Sequence, residues 1–287
     1  MLYSFLNFLI YIIVLIIALI IYLKSSYGKY SDLILFLTNI NNNEKNMFMN
    51  FGYWDENTKT LEEANNNLCN KFLDHLEEKK KILDVGCGYG YQDNYFTKNK
   101  KYDITAIDID EGQIKYANYH KKSESVKYET GDATRLNFDD KSFDIITNIE
   151  SGFHYNTREK FFKEANRVLK KGGKLITCDI LLNSKRSSFS YPFYKAFQYF
   201  FSICDENMID NIEWQKQLRD AGFSIKYYDI TDNVYIPYFK YYVDEYNFGN
   251  FNSRIFKVLV SYIIELIVIP FNNLNTFNYS LAVCTKI

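Results

Sequence analysis

What this sequence lacks narrows its class before any motif is read. It lacks a charge imbalance: 34 Lys and Arg stand against 35 Asp and Glu in 287 residues, a formal net of −1. Such a balance leaves no electrostatic footprint for nucleic acid. It lacks paired cysteines. Cys69, Cys87, Cys178, Cys204 and Cys284 are scattered, odd in number and without metal-ligand spacing. That argues against a disulfide framework and a zinc site, and a reducing compartment is the simpler reading. It lacks the G-K-[ST] of a phosphate loop, and it carries no internal repeat. Histidine is scarce as well, with only His75, His120 and His154.

One long hydrophobic run is present. Leu2 to Leu23 is nearly unbroken, interrupted only by Ser4, Asn7 and three tyrosines, and is long enough to span a bilayer as a helix. No Lys or Arg precedes it, while Lys24 and Lys29 follow. The basic start, shorter apolar core and cleavage site of a signal peptide are poorly matched, so a retained anchor is preferred to a cleaved signal. The positive-inside rule then places residue 24 onward in the cytoplasm, as a single-pass protein. Residues 1–24 read as the anchor, 25–48 as a polar, Asn-rich linker, and 49–287 as one domain.

That domain is organised around Lys81-Ile82-Leu83-Asp84-Val85-Gly86-Cys87-Gly88-Tyr89-Gly90. Ile82 to Val85 reads as a buried strand, and three glycines at alternate positions force a tight turn. A side chain at Gly86 or Gly88 would block the close approach of a ligand to the backbone. The dinucleotide pattern G-x-G-x-x-G wants Gly or Ala where Tyr91 stands, which disfavours a nicotinamide-dependent reductase. Upstream, Thr60 and Glu63 form a capping box for a helix whose apolar stripe is Leu61, Ala64, Leu68, Phe72 and Leu76. Downstream, strands are expected at 102–108, 126–129, 143–149 and 174–181. Helices are expected at 91–98, 110–122 and 157–170, the last closed by Gly172-Gly173. A helix over 209–221, a strand from Phe223 through Ile230 and a last strand from Phe277 complete the set. Alternation of this kind predicts a parallel, doubly wound α/β sheet. Its ligands bind at the carboxyl ends of the strands, where Asp84, Asp108, Asp132, Glu150 and Asp179 all fall. Two aromatic regions, about 182–208 and 231–272, read as lids or inserts, with core packing or a membrane-contacting surface as alternatives for the first. Phe256 to Ile269 is too short to span a bilayer and is expected to be a buried helix.

The acidic residue followed by G-x-G-x-G resembles motif I of class I S-adenosylmethionine-dependent methyltransferases. From Met49 onward an ordered series of pieces is similar to the small-molecule group that includes tocopherol, coclaurine, phosphoethanolamine and sugar methyltransferases. The series comprises Asn50-Phe51-Gly52-Tyr53-Trp54, Leu83 to Gly90, Ala106-Ile107-Asp108-Ile109, Gly131-Asp132-Ala133, Glu150-Ser151-Gly152-Phe153-His154, Arg167 to Gly173 and Ala221-Gly222-Phe223. The group usually has Pro where Lys171 stands. The resemblance implies a mostly parallel seven-stranded Rossmann-like sheet and S-adenosylmethionine as cofactor.

It also implies the roles. The backbone of Gly86, Cys87, Gly88 and Gly90 would cradle the methionine part, with Asp84 near its amine. Asp108 would take both ribose hydroxyls, since a carboxylate accepts two hydrogen bonds at once. Ile109 would flank the adenine, Asp132 and the Ala133 amide would meet its edge, and Gln113 and Asn148 complete the binding set. Tyr53 and Trp54 would close the site; the alternatives are Trp54 as core and Asp132 as a turn residue. Methyl transfer needs alignment and exclusion of water more than acid catalysis. Where the nucleophile is a hydroxyl or carbon, a base must take a proton. His154 is the candidate, with Asp179 to orient it and Glu150 to hold the loop or a substrate amine. The expectation is a membrane-anchored methyltransferase acting on a small, apolar or lipid-like acceptor by O- or C-transfer, with N-transfer needing less help from a base. The rival is a non-catalytic, membrane-anchored module that binds a lipid or partner.

Overall fold

In a computed structural model the described residues are 49–98, 102–201, 203–245 and 274–287. The expected anchor over Leu2 to Leu23, the linker after it and the expected helix over Phe256 to Ile269 lie outside them. Among the described residues no helix is long and apolar enough to cross a membrane.

The strands are β1 (Lys81–Val85), β2 (Asp103–Asp108), β3 (Val126–Thr130), β4 (Phe143–Ile149), β5 (Leu169–Leu182), β6 (Phe223–Asp229) and β7 (Phe277–Lys286). They make one seven-stranded sheet in the order β3-β2-β1-β4-β5-β7-β6, with β7 antiparallel to both neighbours. The order reverses at β1, so β1 and β4 diverge to opposite halves and leave a switch point at their carboxyl ends. The inner strands are apolar on both faces because helices cover both. Alternate residues divide accordingly. Ile82, Ile104 and Ile145 join one core with Leu68, Phe72, Phe96 and Ile114, whereas Leu83, Ile107 and Ile146 join the other with Phe161, Phe162, Trp214 and Leu218.

The helices are α1 (Leu61–Leu73), α2 (Tyr91–Phe96), α3 (Glu111–Tyr119), α4 (Arg158–Val168), α5 (Tyr191–Phe201), α6 (Asn211–Asp220) and α7 (Tyr235–Glu245). The capping box of α1 is complete, with the Glu63 amide donating to Thr60 Oγ1 at 3.2 Å and the Thr60 amide to Glu63 Oε2 at 3.1 Å. Ala64, Leu68 and Phe72 of its stripe are buried, and Leu76 is buried just beyond its end. One expected boundary is corrected. The helix after Thr157 stops at Val168, and Leu169 is already extended, so Gly172-Gly173 lies within β5 and does not cap the helix. The β4–β5 register shifts between Phe143 and Ile145, and Lys170 Nζ binds both oxygens of Asp144 at 2.9 and 2.8 Å across this irregular stretch.

Candidate active site

β1 runs straight into the glycine turn. The Gly86 and Cys87 amides both donate to the Ile107 carbonyl, at 2.8 and 3.0 Å, and the Gly88 amide donates to Asp108 Oδ2 at 2.9 Å. The end of β2 therefore fixes the turn. Gly86 has φ +77°, and a Cβ there would lie 2.2 Å from Ser151 Oγ and 2.6 Å from the Tyr155 hydroxyl. No other residue fits. Among the described residues, a Cβ at Gly88 would meet only Met49 Sδ at 3.3 Å and Gln113 Oε1 at 3.5 Å. Flexible side chains alone border that face of the turn.

The two carboxylates expected to flank a ligand hold the turn from different sides. Asp84 is fully buried. Its Oδ2 accepts from Gln92 Nε2 at 2.9 Å and its Oδ1 from Thr147 Oγ1 at 2.6 Å, and the same Gln92 amide reaches the Cys87 carbonyl at 3.1 Å. Asp84 thus acts from beneath the turn, through its charge and through Gln92, and not as an exposed partner for an amine. Asp108 is half-buried at the open end of β2, and its Oδ1 accepts from the Asp110 amide at 3.0 Å. Burial holds Asp108 above the usual carboxylate range against the pull of those backbone donors. The neighbouring Ile109 is 72% exposed, an aliphatic face beside the carboxylate. Gln113 is buried one turn into α3. Asp132 is exposed, and its Oδ1 accepts from the amide and the hydroxyl of Thr134, both at 2.8 Å, so it builds its own turn, while Ala133 is packed into the core.

The wall after β4 is a polar network. Asn148 Nδ2 donates to the Val85 carbonyl at 2.8 Å and to the Ser151 and Tyr155 hydroxyls, and Thr177 Oγ1 donates to Asn148 Oδ1 at 3.0 Å. Glu150 is buried with φ +44°, a region that non-glycine residues seldom take. Its carboxyl accepts from the Phe51 amide at 2.8 Å and from the Tyr279 hydroxyl, which ties the N-terminal segment to β7. Burial pushes it up to about 8. Gly152–His154 follows as a single 3-10 turn. His154 is half-buried, its ring 4.1 Å from that of Phe153.

Asp179 is not placed chiefly as an orienter of His154. Its Oδ2 accepts from Arg158 Nε at 2.6 Å, with both side chains 1% exposed. Arg158 also donates to the carbonyls of Asn207, at 2.6 Å, and Ile180, at 2.7 Å. Asn207 Nδ2 in turn reaches the Tyr155 carbonyl at 2.6 Å and that of Phe153 at 3.1 Å. The first aromatic region thus braces the His154 loop through Asn207. Of Tyr53 and Trp54, the second takes the core alternative. Lys71 Nζ sits 4.5 Å over the Tyr53 ring, and Trp54 is buried against Tyr241 with its indole N–H on the Phe51 carbonyl at 2.8 Å. The residue that this segment brings to the glycine turn is Met49. Met49, Gln92, Thr147, Tyr155 and Arg158 were not singled out from the sequence. Arg158 had a detectable signal, a basic residue at the first position of an otherwise amphipathic helix.

Residues 83–177 match the family model described as a methyltransferase domain. The chain is 32% identical over 227 residues to erythromycin 3''-O-methyltransferase of Saccharopolyspora erythraea, covering 75% of this chain and 74% of that enzyme. It belongs to the class I S-adenosylmethionine-dependent methyltransferases. It is 30% identical over 180 residues to 27-O-demethylrifamycin SV methyltransferase of Amycolatopsis mediterranei, covering 61% and 65% of the two chains. Its fold matches that of phosphoethanolamine N-methyltransferase 2 of Haemonchus contortus in complex with S-adenosyl-L-methionine. There the TM-score is 0.70 at 17% identity, over 92% of this chain and 59% of that one. This methyltransferase uses S-adenosylmethionine on a small molecule, which sets aside the non-catalytic rival. The site fits the cofactor: a turn that admits no side chain at Gly86, a strand-end carboxylate at Asp108 and an exposed aliphatic face at Ile109 stand next to one another.

Proposed function

We propose that this methyltransferase transfers the methyl group to a hydroxyl oxygen of a small, apolar or lipid-like acceptor, with His154 as the general base. The observation that carries the reading is the placement of His154. It is half-buried directly beyond β4, in a loop fixed on one side by Glu150 and on the other by Arg158, Asp179 and Asn207. The cofactor supplies an electrophilic methyl on a sulfonium. Asp108 would take the ribose, Ile109 and the Ala133 amide would border the adenine, and the Gly86–Gly88 backbone would support the methionine part. As the oxygen bonds the methyl carbon, the carbon–sulfur bond would break, the neutral thioether would leave and His154 would accept the hydroxyl proton, with the braced loop holding the acceptor in line. Phe51, held by Glu150, packs edge-on to Tyr235 at 5.7 Å and so helps to exclude water.

Two further observations bear on the acceptor. The erythromycin relative is by its name an O-methyltransferase of a small molecule. A cavity of about 420 Å³ opens at the carboxyl ends of β5 and β6, with Tyr235, Ile236 and Phe277 in its wall and Asp232 and Asn233 at its edge. Tyr235 lies 5.9 Å from the Tyr279 ring, whose hydroxyl is bound to Glu150. Asn183, Asp229, Thr231 and Asn275 also line the cavity, so polar groups outnumber apolar ones, and the space suits a small organic acceptor that carries several polar groups beside its apolar part. We also retain the proposal that Leu2 to Leu23 anchors the enzyme with the domain on the cytoplasmic side. Recovery of the full chain in the soluble fraction after lysis would overturn it.

The test is incubation with methyl-labelled S-adenosylmethionine and a lipid and metabolite extract, followed by mass spectrometry of the labelled product. His154→Ala is expected to abolish labelling while S-adenosylhomocysteine still binds within about threefold, measured by calorimetry. Equal loss of both would overturn the role given to His154.

A further inference from the structure

Beneath the glycine turn lie two carboxyl groups that no cation among the described residues balances. Asp84, on β1, has both oxygens engaged by neutral donors, Gln92 and Thr147. Asp93, on α2, is fully buried, and its side chain takes no hydrogen bond from an amide or a cation among the described residues; what faces it is the Asp84 carboxyl and the Tyr128 hydroxyl. The groups that act on the two are all acidic or neutral: Cys69 from α1, Cys87 from the turn, Asp108 from β2 and Tyr128 from β3. No cation is among them. Two bare carboxylates so placed would each carry a desolvation cost and would repel one another, so the pair keeps a proton. Burial, and for Asp93 the charge of Asp84, raise both above the usual carboxylate range.

The site above them receives a cation. S-adenosylmethionine carries a sulfonium charge, and the product S-adenosylhomocysteine does not, while both carry the same amine and carboxylate. A positive charge set over the turn favours the ionised pair, whereas a neutral thioether does not. We propose that Asp84 and Asp93 share a proton in the free enzyme and release it when S-adenosylmethionine binds, so that their charge state helps the enzyme to hold the cofactor and let go of the product. Asp93 is then a positioning group that acts through Asp84 and touches no ligand. The inference concerns cofactor binding alone and does not depend on which acceptor is used.

Linkage gives the sign. If binding releases protons, affinity for the cation rises with pH through the titration of the pair, by up to about tenfold per pH unit for one proton. Calorimetry of the whole chain with S-adenosylmethionine, in buffers of different ionisation heat, counts the protons released. The expected result is a release of between about half a proton and one proton near pH 6, and distinctly less with S-adenosylhomocysteine, whose shared amine and carboxylate serve as the control. Asp93→Asn should reduce the release with S-adenosylmethionine to that seen with the product and flatten the pH dependence of its Kd. Asp108, Glu150 and Asp179, the other raised carboxyls on the same rim, still titrate in that variant and are thereby separated. Equal proton counts for the two ligands in the unmodified enzyme would overturn the proposal even if Asp93→Asn fails to fold. An unchanged difference between them in Asp93→Asn would overturn it as well.

Discussion

Arg158 Nε lies 2.6 Å from Asp179 Oδ2, and the pair is sealed from solvent beneath the loop that carries His154. Removing one partner leaves an uncompensated charge in a dry interior, which costs about 3–5 kcal/mol. Arg158→Met is therefore expected to lower the unfolding free energy by that amount, seen as a lower urea midpoint. It should also reduce turnover, because the brace through Asn207 to Phe153 and Tyr155 goes with it. The double variant Arg158→Met, Asp179→Leu should recover much of the stability, since apolar replacement of a whole buried pair is often neutral or better. It should not recover the turnover. A double variant no more stable than the single one would show that the pair's charge balance is not what matters.

Glu150 makes stability depend on pH in a direction opposite to the ordinary carboxylate. Its folded-state value, about 8, stands above the usual 4.3 or so of a free glutamate. Between those values the folded chain holds a proton that the unfolded chain has lost, so stability falls as pH rises from about 5 to about 8. Asp84 and Asp93 act with the same sign. Glu150→Gln keeps a polar group between the Phe51 amide and Tyr279 but cannot ionise. Its unfolding free energy is expected to decline less than that of the unmodified chain between pH 5 and pH 8, by one to a few kcal/mol. Parallel decline in denaturant titrations at the two pH values would refute the assignment.

Two glycines of similar backbone separate strain from close approach. Gly86 and Gly172 have φ +77° and +74°, but a Cβ at Gly86 collides with Ser151 and Tyr155 whereas at Gly172 it meets nothing within 4 Å. Gly172→Ala should cost only the left-handed penalty, about 1–2 kcal/mol. Gly86→Ala should cost more and should also weaken S-adenosylhomocysteine binding by tenfold or more, because the turn must shift to seat the methyl. Thermal unfolding and calorimetry on the two variants check this, and equal effects would mean that the crowding around Gly86 is easily relieved.

What could be read from the sequence follows from range. β4 and the capping box of α1 are written in neighbouring residues, as apolar runs and local hydrogen bonds, and both stand where the pattern put them. The strand-end carboxylates were legible for the same reason, since a strand that ends in an acid before a turn is a local signal. Their partners were not. Asp179 was assigned to His154 because the two share the sheet's carboxyl rim, yet its main partner is Arg158, 21 positions before it. Trp54 looked like a gate and is packed on Tyr241, with its backbone on Asn233, 179 positions away. Nothing in a single sequence ranks such distant pairings. The proton-sharing pair was hidden for a related reason: only the orientation of α2 turns Asp93 inward.

Asp108 and Asp132 both stand at strand ends, yet their surroundings predict different weights in cofactor binding. Asp108 is half-buried, orders the turn through the Gly88 amide and projects from the end of β2 toward the switch point of the sheet. Asp132 is exposed, and Thr134 already occupies one of its oxygens twice. A hydrogen bond to a charged group contributes about 1.5–3 kcal/mol, so Asp108→Ala should weaken S-adenosylhomocysteine binding by about ten- to a hundredfold. Asp132→Ala, losing a solvent-screened contact, should weaken it by less than about fivefold. Asp108→Asn should fall between Asp108→Ala and the unmodified chain, because an amide oxygen still accepts from Gly88 but cannot take two ribose hydroxyls as a carboxylate does. Calorimetry on the three variants settles the order. If Asp132→Ala proves the most damaging, the ribose is not held where β2 ends, and the cofactor lies farther along the rim toward β3.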